Sequence, residues 1–185
     1  MADLTEKQLS TMNVFDGVLL HVYKDEVKLP DESTSIREYI KHPGAAVMIP
    51  ILENGNIVFE RQYRYPLGME LLGLAAGKID AGEDPVDSAR RELLEETGYE
   101  AKSLIKLGKL HPCIGYSDEV IHIYLAQDLI LHEEQQDKDE FIETFEMSLD
   151  KALESVRSGK ITDAKTMISL FWAEKYLSGG WKDAG

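Results

Sequence analysis

The chain has 185 residues, 43% of them hydrophobic and 29% charged, with a formal net charge of −14. That length buries the core of one domain with room for a small appendage, and no apolar run approaches the roughly 18 residues a bilayer crossing requires. So large an acidic excess argues against a sequence-independent grip on nucleic acid, where basic side chains must displace counterions from phosphate.

The opening MADLTEKQLS is acidic and polar and lacks the basic end and apolar core of a secretory signal, so a cytoplasmic location is expected. GVLLHVYKDEVKLP (17–30) and STSIREYIKHPG (33–44) alternate apolar with polar residues across the turn-prone Pro30-Asp31-Glu32, and predict paired strands. AAVMIPILENGNIVFERQYRYP (45–66) reads as two strands joined at Asn54-Gly55, a hairpin signal because both residues tolerate positive φ. Residues 85–97 predict a helix: Asp84 suits the N-cap, Pro85 the first turn and Gly98 the position after the last. The single cysteine, Cys113, excludes an internal disulfide and any multi-cysteine zinc site, and is expected to be a small packed residue.

Further on, VIHIYLAQDL (120–129) predicts a strand and HEEQQDKDE (132–140) an acidic loop. SLDKALESVRSG (148–159) and DAKTMISLFWAEKYLSGG (163–180) carry apolar residues at helical spacing and end in glycine. With no internal repeat or low-complexity tract, this order predicts an α/β or α+β fold, a mixed β-sheet sandwiched between helices. An N-terminal antiparallel strand arm over 1–42 would precede the main domain over 43–185.

The helix over 85–97 is unusual in charge. Seven acidic side chains fall between Asp80 and Glu96, around Arg90 and Arg91. At about 100° per residue Val86, Ala89, Leu93 and Thr97 share one stripe, while Glu92, Glu95 and Glu96 crowd a neighbouring edge near the C-terminus, where the helix dipole disfavours negative charge. On charge alone this is a solvated acidic face. A divalent cation would offset the repulsion more fully, and Mg2+ binds through one or two carboxylates plus substrate phosphate oxygens.

Gly77, Glu83, Arg91, Glu92, Leu93, Glu95, Glu96 and Gly98 stand in a spacing that resembles the signature of the Nudix hydrolases. REYIKHPGAAVMIPI, RQYRYPLG, LLGLAAGKIDAGE, GYSDEVIHIYLA and SGKITDAKTMISLFW resemble successive segments of its ADP-ribose pyrophosphatase-like branch. The resemblance implies Mg2+-dependent hydrolysis, with Mn2+ as a substitute, of a nucleoside diphosphate sugar: ADP-ribose or a related ADP-sugar, giving AMP and a sugar phosphate. It implies that Glu92 and Glu96 are the principal metal carboxylates, Glu95 a further ligand and the carbonyl of Ala76 a backbone ligand. Arg91 would orient the glutamates, and Glu83 would either brace the helix or join the metal.

The same resemblance places a catalytic base in the late acidic loop, at Glu140, with Asp139 and Glu133 as substitutes; Lys138 stands where some relatives carry an acid. Arg64 and Arg37 match substrate-binding positions, and related enzymes complete the site as homodimers through the arm. Three departures stand out: Gly73 and Ala75 replace the branch's usual Glu and Pro, Ile114 stands where a proline is usual with Pro112 two residues earlier, and Tyr99 replaces an aliphatic residue. The first two departures keep another substrate, such as GDP-mannose, in view. The rival from another class is a non-catalytic nucleotide-sugar sensor, against which the intact acids of the motif speak.

Overall fold

The computed structural model describes residues 2–132 and 141–181, which divide into two compact units. One runs up to Pro43 and takes in His111–Val120; the other comprises Gly44–Leu110 and the chain from Ile121 on. In the first, β1 (Lys7–Asp16), β2 (His21–Lys28) and β3 (Thr34–Lys41) form an antiparallel meander. Two of these strands were expected, and β1 is an addition. All ten of its residues are exposed, so no inward face writes an alternation into them. His111–Val120 ties to β3: the Ile40 N–H donates to the Tyr116 carbonyl at 2.8 Å, and the His42 N–H to the Asp118 carboxylate at 2.8 Å.

The second unit runs β4 (Ala45–Pro50), β5 (Asn56–Arg64), a 3₁₀ turn (Tyr65–Leu67), β6 (Met69–Gly73), β7 (Ala76–Lys78), α1 (Pro85–Thr97), β8 (Tyr99–Leu110), β9 (Ile121–Leu131), β10 (Ile142–Ser148), α2 (Leu149–Arg157) and α3 (Ala164–Leu177). Its strands form two sheets, ordered β7-β4-β9-β8 and β10-β5-β6. The β4–β9 pair is parallel and the others antiparallel, which makes the four-stranded sheet mixed.

Strand alternation divides β4 and β9 between two cores. Ala46, Met48, Tyr124 and Ala126 face Ala89 and Leu93 of α1. Val47, Ile49, Ile123 and Leu125 face Leu170 and Ala173 of α3, joined by Ile57 and Phe59 of β5. Each large apolar side chain fully buried here is worth about 1.5–3 kcal/mol.

The expected hairpin over 45–66 is instead a corner between sheets. The Gly55 N–H donates to the Leu52 carbonyl at 2.9 Å to close the turn, and of Asn54 and Gly55, both of which tolerate positive φ, only Gly55 adopts it, at 81°. Antiparallel contact between the two strands extends to one bridge, Ile51 opposite Ile57. The reason is competition for edges: β4 is flanked by β7 and β9, and β5 by β10 and β6.

Helix α1 begins and ends as its sequence dictates. The Asp84 carboxylate accepts from the Val86 N–H at 3.0 Å, and Gly98 is left-handed at φ 73°. Among the described residues, no helix is long and apolar enough to cross a membrane.

Candidate active site

Arg91 organises the acidic edge of α1. Its Nε and Nη2 donate to the two carboxylate oxygens of Glu83, each at 3.0 Å. Its Nη1 donates to Glu92 at 2.8 Å and to Glu95 at 3.0 Å, and Nη2 also reaches the Lys78 carbonyl of β7 at 3.1 Å. One planar guanidinium thus spans the loop before α1, the helix itself and the neighbouring strand, which a point-charge ammonium cannot do. The Arg91 bonds draw the Glu83 carboxyl down to about 2, and Glu83 in return, followed by Glu92, raises the Arg91 guanidinium above its ordinary value. Glu83 also accepts from the Asp80 N–H at 3.0 Å, so it braces the loop that leads into the helix.

Strand β7 seats Glu92, which Arg91 also holds, and Glu96. A Cβ placed on Gly77 would lie 1.8 Å from Cδ of Glu92 and 2.1 Å from each of its carboxylate oxygens. Any side chain at 77 would displace that carboxylate from its place. Glu96 is 4% exposed and accepts from the Ala76 N–H at 2.8 Å. Against it lies Glu60 of β5, also 4% exposed, whose Oε1 has no hydrogen-bond partner. Burial, then the neighbouring Glu96 charge, holds the Glu60 carboxyl well above the usual carboxylate range.

The residues present suit a hard divalent cation. Their donors are carboxylate and carbonyl oxygens, Gly77 makes room for the Glu92 carboxylate, and one buried carboxylate oxygen is orphaned beside Glu96. Among the described residues no three acidic or histidine side chains already stand in ligand geometry. Arg91 engages Glu92 and Glu95 instead.

Beside Glu60 opens a cavity of about 350 Å³, walled also by Arg64, Gln62, Leu72, Asp163 and Lys165. Its size suits part of a nucleotide sugar. Asp163 caps α3, accepting from the Thr166 N–H at 3.1 Å and its hydroxyl at 2.6 Å, and pairs with Lys165 at 2.9 Å. The Thr166 hydroxyl oxygen accepts from the Leu74 N–H at 3.1 Å, fastening the segment before Ala76 to α3.

The structure thus brings together Ala76, Arg91, Glu92, Glu95 and Glu96, and sets Arg64 on the cavity wall. Arg37 belongs to the other unit, where it is paired with Glu6 at 2.9 and 2.5 Å. Glu140, with Glu133, Lys138 and Asp139, lies outside the described residues. Sequence reasoning missed Glu60, Asp163, Lys165 and Thr166. For Glu60 a signal existed: it is two residues from the buried Val58 on a strand, hence on the same face. Of the departures, Gly73 pairs directly opposite Glu60, Ala75 is fully buried, Tyr99 packs in the α1 core, and Ile114 is 85% exposed.

Comparison with known proteins agrees with this geometry. The profile of the NUDIX domain matches residues 41–169. The ADP-ribose pyrophosphatase of Bacillus subtilis (strain 168) is 39% identical over 172 residues, 92% of this chain and 93% of that protein. The methanol dehydrogenase activator of Bacillus methanolicus is 40% identical over 167 residues, 89% of this chain and 90% of that protein. A solved structure, an ADP compounds hydrolase, superposes with a TM-score of 0.86 at 24% identity, covering 96% of this chain and 97% of that one, a likeness of fold. The chain belongs to the Nudix family, as a pyrophosphohydrolase of that fold.

Proposed function

We propose that this protein hydrolyses the pyrophosphate bond of ADP-ribose or a related ADP-sugar, releasing AMP and a sugar phosphate. The observation that carries the reading is the seat of Glu92 over Gly77, where strand and helix are fitted to hold a carboxylate at the place of a missing Cβ. The ADP-ribose pyrophosphatase relative supports the choice of substrate class.

In this reading Glu92, Glu95, Glu96 and the Ala76 carbonyl hold Mg2+, for which Mn2+ substitutes. When bound, such an ion neutralises the diphosphate and makes water a competent nucleophile near neutral pH. The protein's part is positioning: Arg91 gathers Glu92 and Glu95 on one edge of α1, from which they turn to the cation when it binds. Arg64 meets phosphate or base at the cavity wall, and Arg37 is a second guanidinium suited to the substrate. Glu140 accepts the proton of the attacking water. The arm pairs two chains into a homodimer, a role supported by the exposed apolar side chains Leu9, Met12, Val14 and Phe15.

The test incubates purified protein with Mg2+ and, separately, ADP-ribose, ADP-glucose and GDP-mannose, with and without chelator, and quantifies nucleotide products by chromatography. Chelator-sensitive AMP release, fastest from ADP-ribose, is expected. Preference for GDP-mannose would move the specificity to Gly73, Ala75 and Ile114, and no turnover on any substrate would favour a binding module.

A further inference from the structure

Among the described residues, Glu60 is a buried acidic group at this site that the reading above leaves without a task. It is 4% exposed, so its ionised form has lost most of its water, and its neighbour is another buried carboxylate, Glu96. Two such groups side by side repel, and an uncompensated buried charge is among the costliest features a fold can carry. The charges of Arg64 and Lys165 offset it only in part, and Glu60 shares a hydrogen bond with Glu96. Oε1 is without a hydrogen-bond partner. The Lys165 ammonium, on the same cavity wall, is engaged with Asp163 at 2.9 Å.

The β5–β6 register adds a second observation. Glu60 stands directly opposite Gly73, and residues directly opposite on antiparallel strands project to the same face. Glycine at 73 therefore leaves the Glu60 carboxyl uncovered by its cross-strand neighbour. The opening is not forced by crowding, because a Cβ on Gly73 would meet nothing nearer than the Thr166 hydroxyl oxygen at 3.4 Å. A carboxylate reaching from the adjoining sheet toward the buried glutamate of α1, with one oxygen unspent, has the chemistry of a ligand to a hard cation.

We infer that Glu60 is a further ligand of the divalent cation, sharing it with Glu96. The site would then draw on β5 as well as α1 and β7, and Glu60 would join it to the cavity that it walls with Arg64. This rests on the cation reading of the α1 carboxylates, and its test separates the two.

Mn2+ binding to the purified full-length chain is measured by electron paramagnetic resonance for wild type, Glu60→Gln and Glu96→Gln, alongside metal-free melting. Both variants are expected to bind Mn2+ about 10- to 100-fold more weakly, the range seen when groups that support a metal site are removed. Metal-free Glu60→Gln is expected to melt no lower than wild type, since the substitution removes a repulsion. Wild-type affinity in Glu60→Gln with loss in Glu96→Gln overturns the inference alone; wild-type affinity in both overturns the cation reading with it. Should Glu60→Gln melt lower, Glu60→Asp replaces it, withdrawing the charge by one methylene; weakened binding supports the inference and unchanged affinity overturns it.

Discussion

Arg91 illustrates how one side chain converts an electrostatic liability into a positioned site. Five donor contacts bind it to Glu83, Glu92, Glu95 and the Lys78 carbonyl, so the repulsion along α1 is offset from its centre. Arg91→Lys keeps the charge and loses the fork, and turnover is expected to fall about 10- to 100-fold in a protein that still folds cooperatively; steady-state kinetics beside a melting curve check this. Glu83 supplies a pH signature. Its folded value of about 2 lies below its ordinary 4.5, so the stability it contributes is complete above the higher value and is lost as the pH falls toward the lower. Melting temperatures of wild type and Glu83→Gln should differ at pH 7 and converge between pH 4.5 and 2; a constant gap would contradict the assignment. At this scale the motif residues were legible because their spacing along one helix is itself the geometry. Glu60 was not, because the burial of its charge depends on β6, α1 and α3 arriving from elsewhere in the chain.

Helix α1 was readable to the residue because Asp84, Pro85 and Gly98 are local signals that need no partner. The β4–β5 connection was misread for the complementary reason: the turn at Gly55 is local, but whether the strands beyond it pair is decided by β6, β7, β9 and β10. Strand β8 went unpredicted, its alternation interrupted by a register shift between Lys106 and Gly108. Gly108 has its own tertiary reason, since a Cβ there would stand 2.4 Å from the Trp172 ring of α3. The link most relevant to the site is Thr166, which is fully buried and holds the Leu74 N–H. Thr166→Val preserves shape but orphans that donor, at an expected cost of about 1–3 kcal/mol. Chemical denaturation should register it as a lower midpoint with unchanged slope, and an unchanged midpoint would show that the bond adds nothing.

At the scale of the whole molecule, the charge of −14 and the acidic site fit together only if anionic substrate arrives with a cation to mediate. The arm raises a separate question of cover, because Met12 and Phe15 of β1 are 61% and 56% exposed. Sedimentation should give twice the 20.9 kDa chain mass, and Met12→Asp with Phe15→Asp should shift it to the monomer. A wild-type monomer would contradict the dimer proposal without touching the chemistry. Fold class and family were visible in the sequence, because element order and an eight-position motif survive without tertiary knowledge. The cavity wall was not, since it is assembled from β5, β6 and the start of α3. The most direct test of the central claim compares AMP release from ADP-ribose by wild type and Glu96→Gln, each with Mg2+ and with excess chelator. Rapid release by wild type, abolished by either chelator or substitution while Glu96→Gln retains a cooperative melt, is the predicted result. Release that persists in Glu96→Gln or under chelation would contradict it.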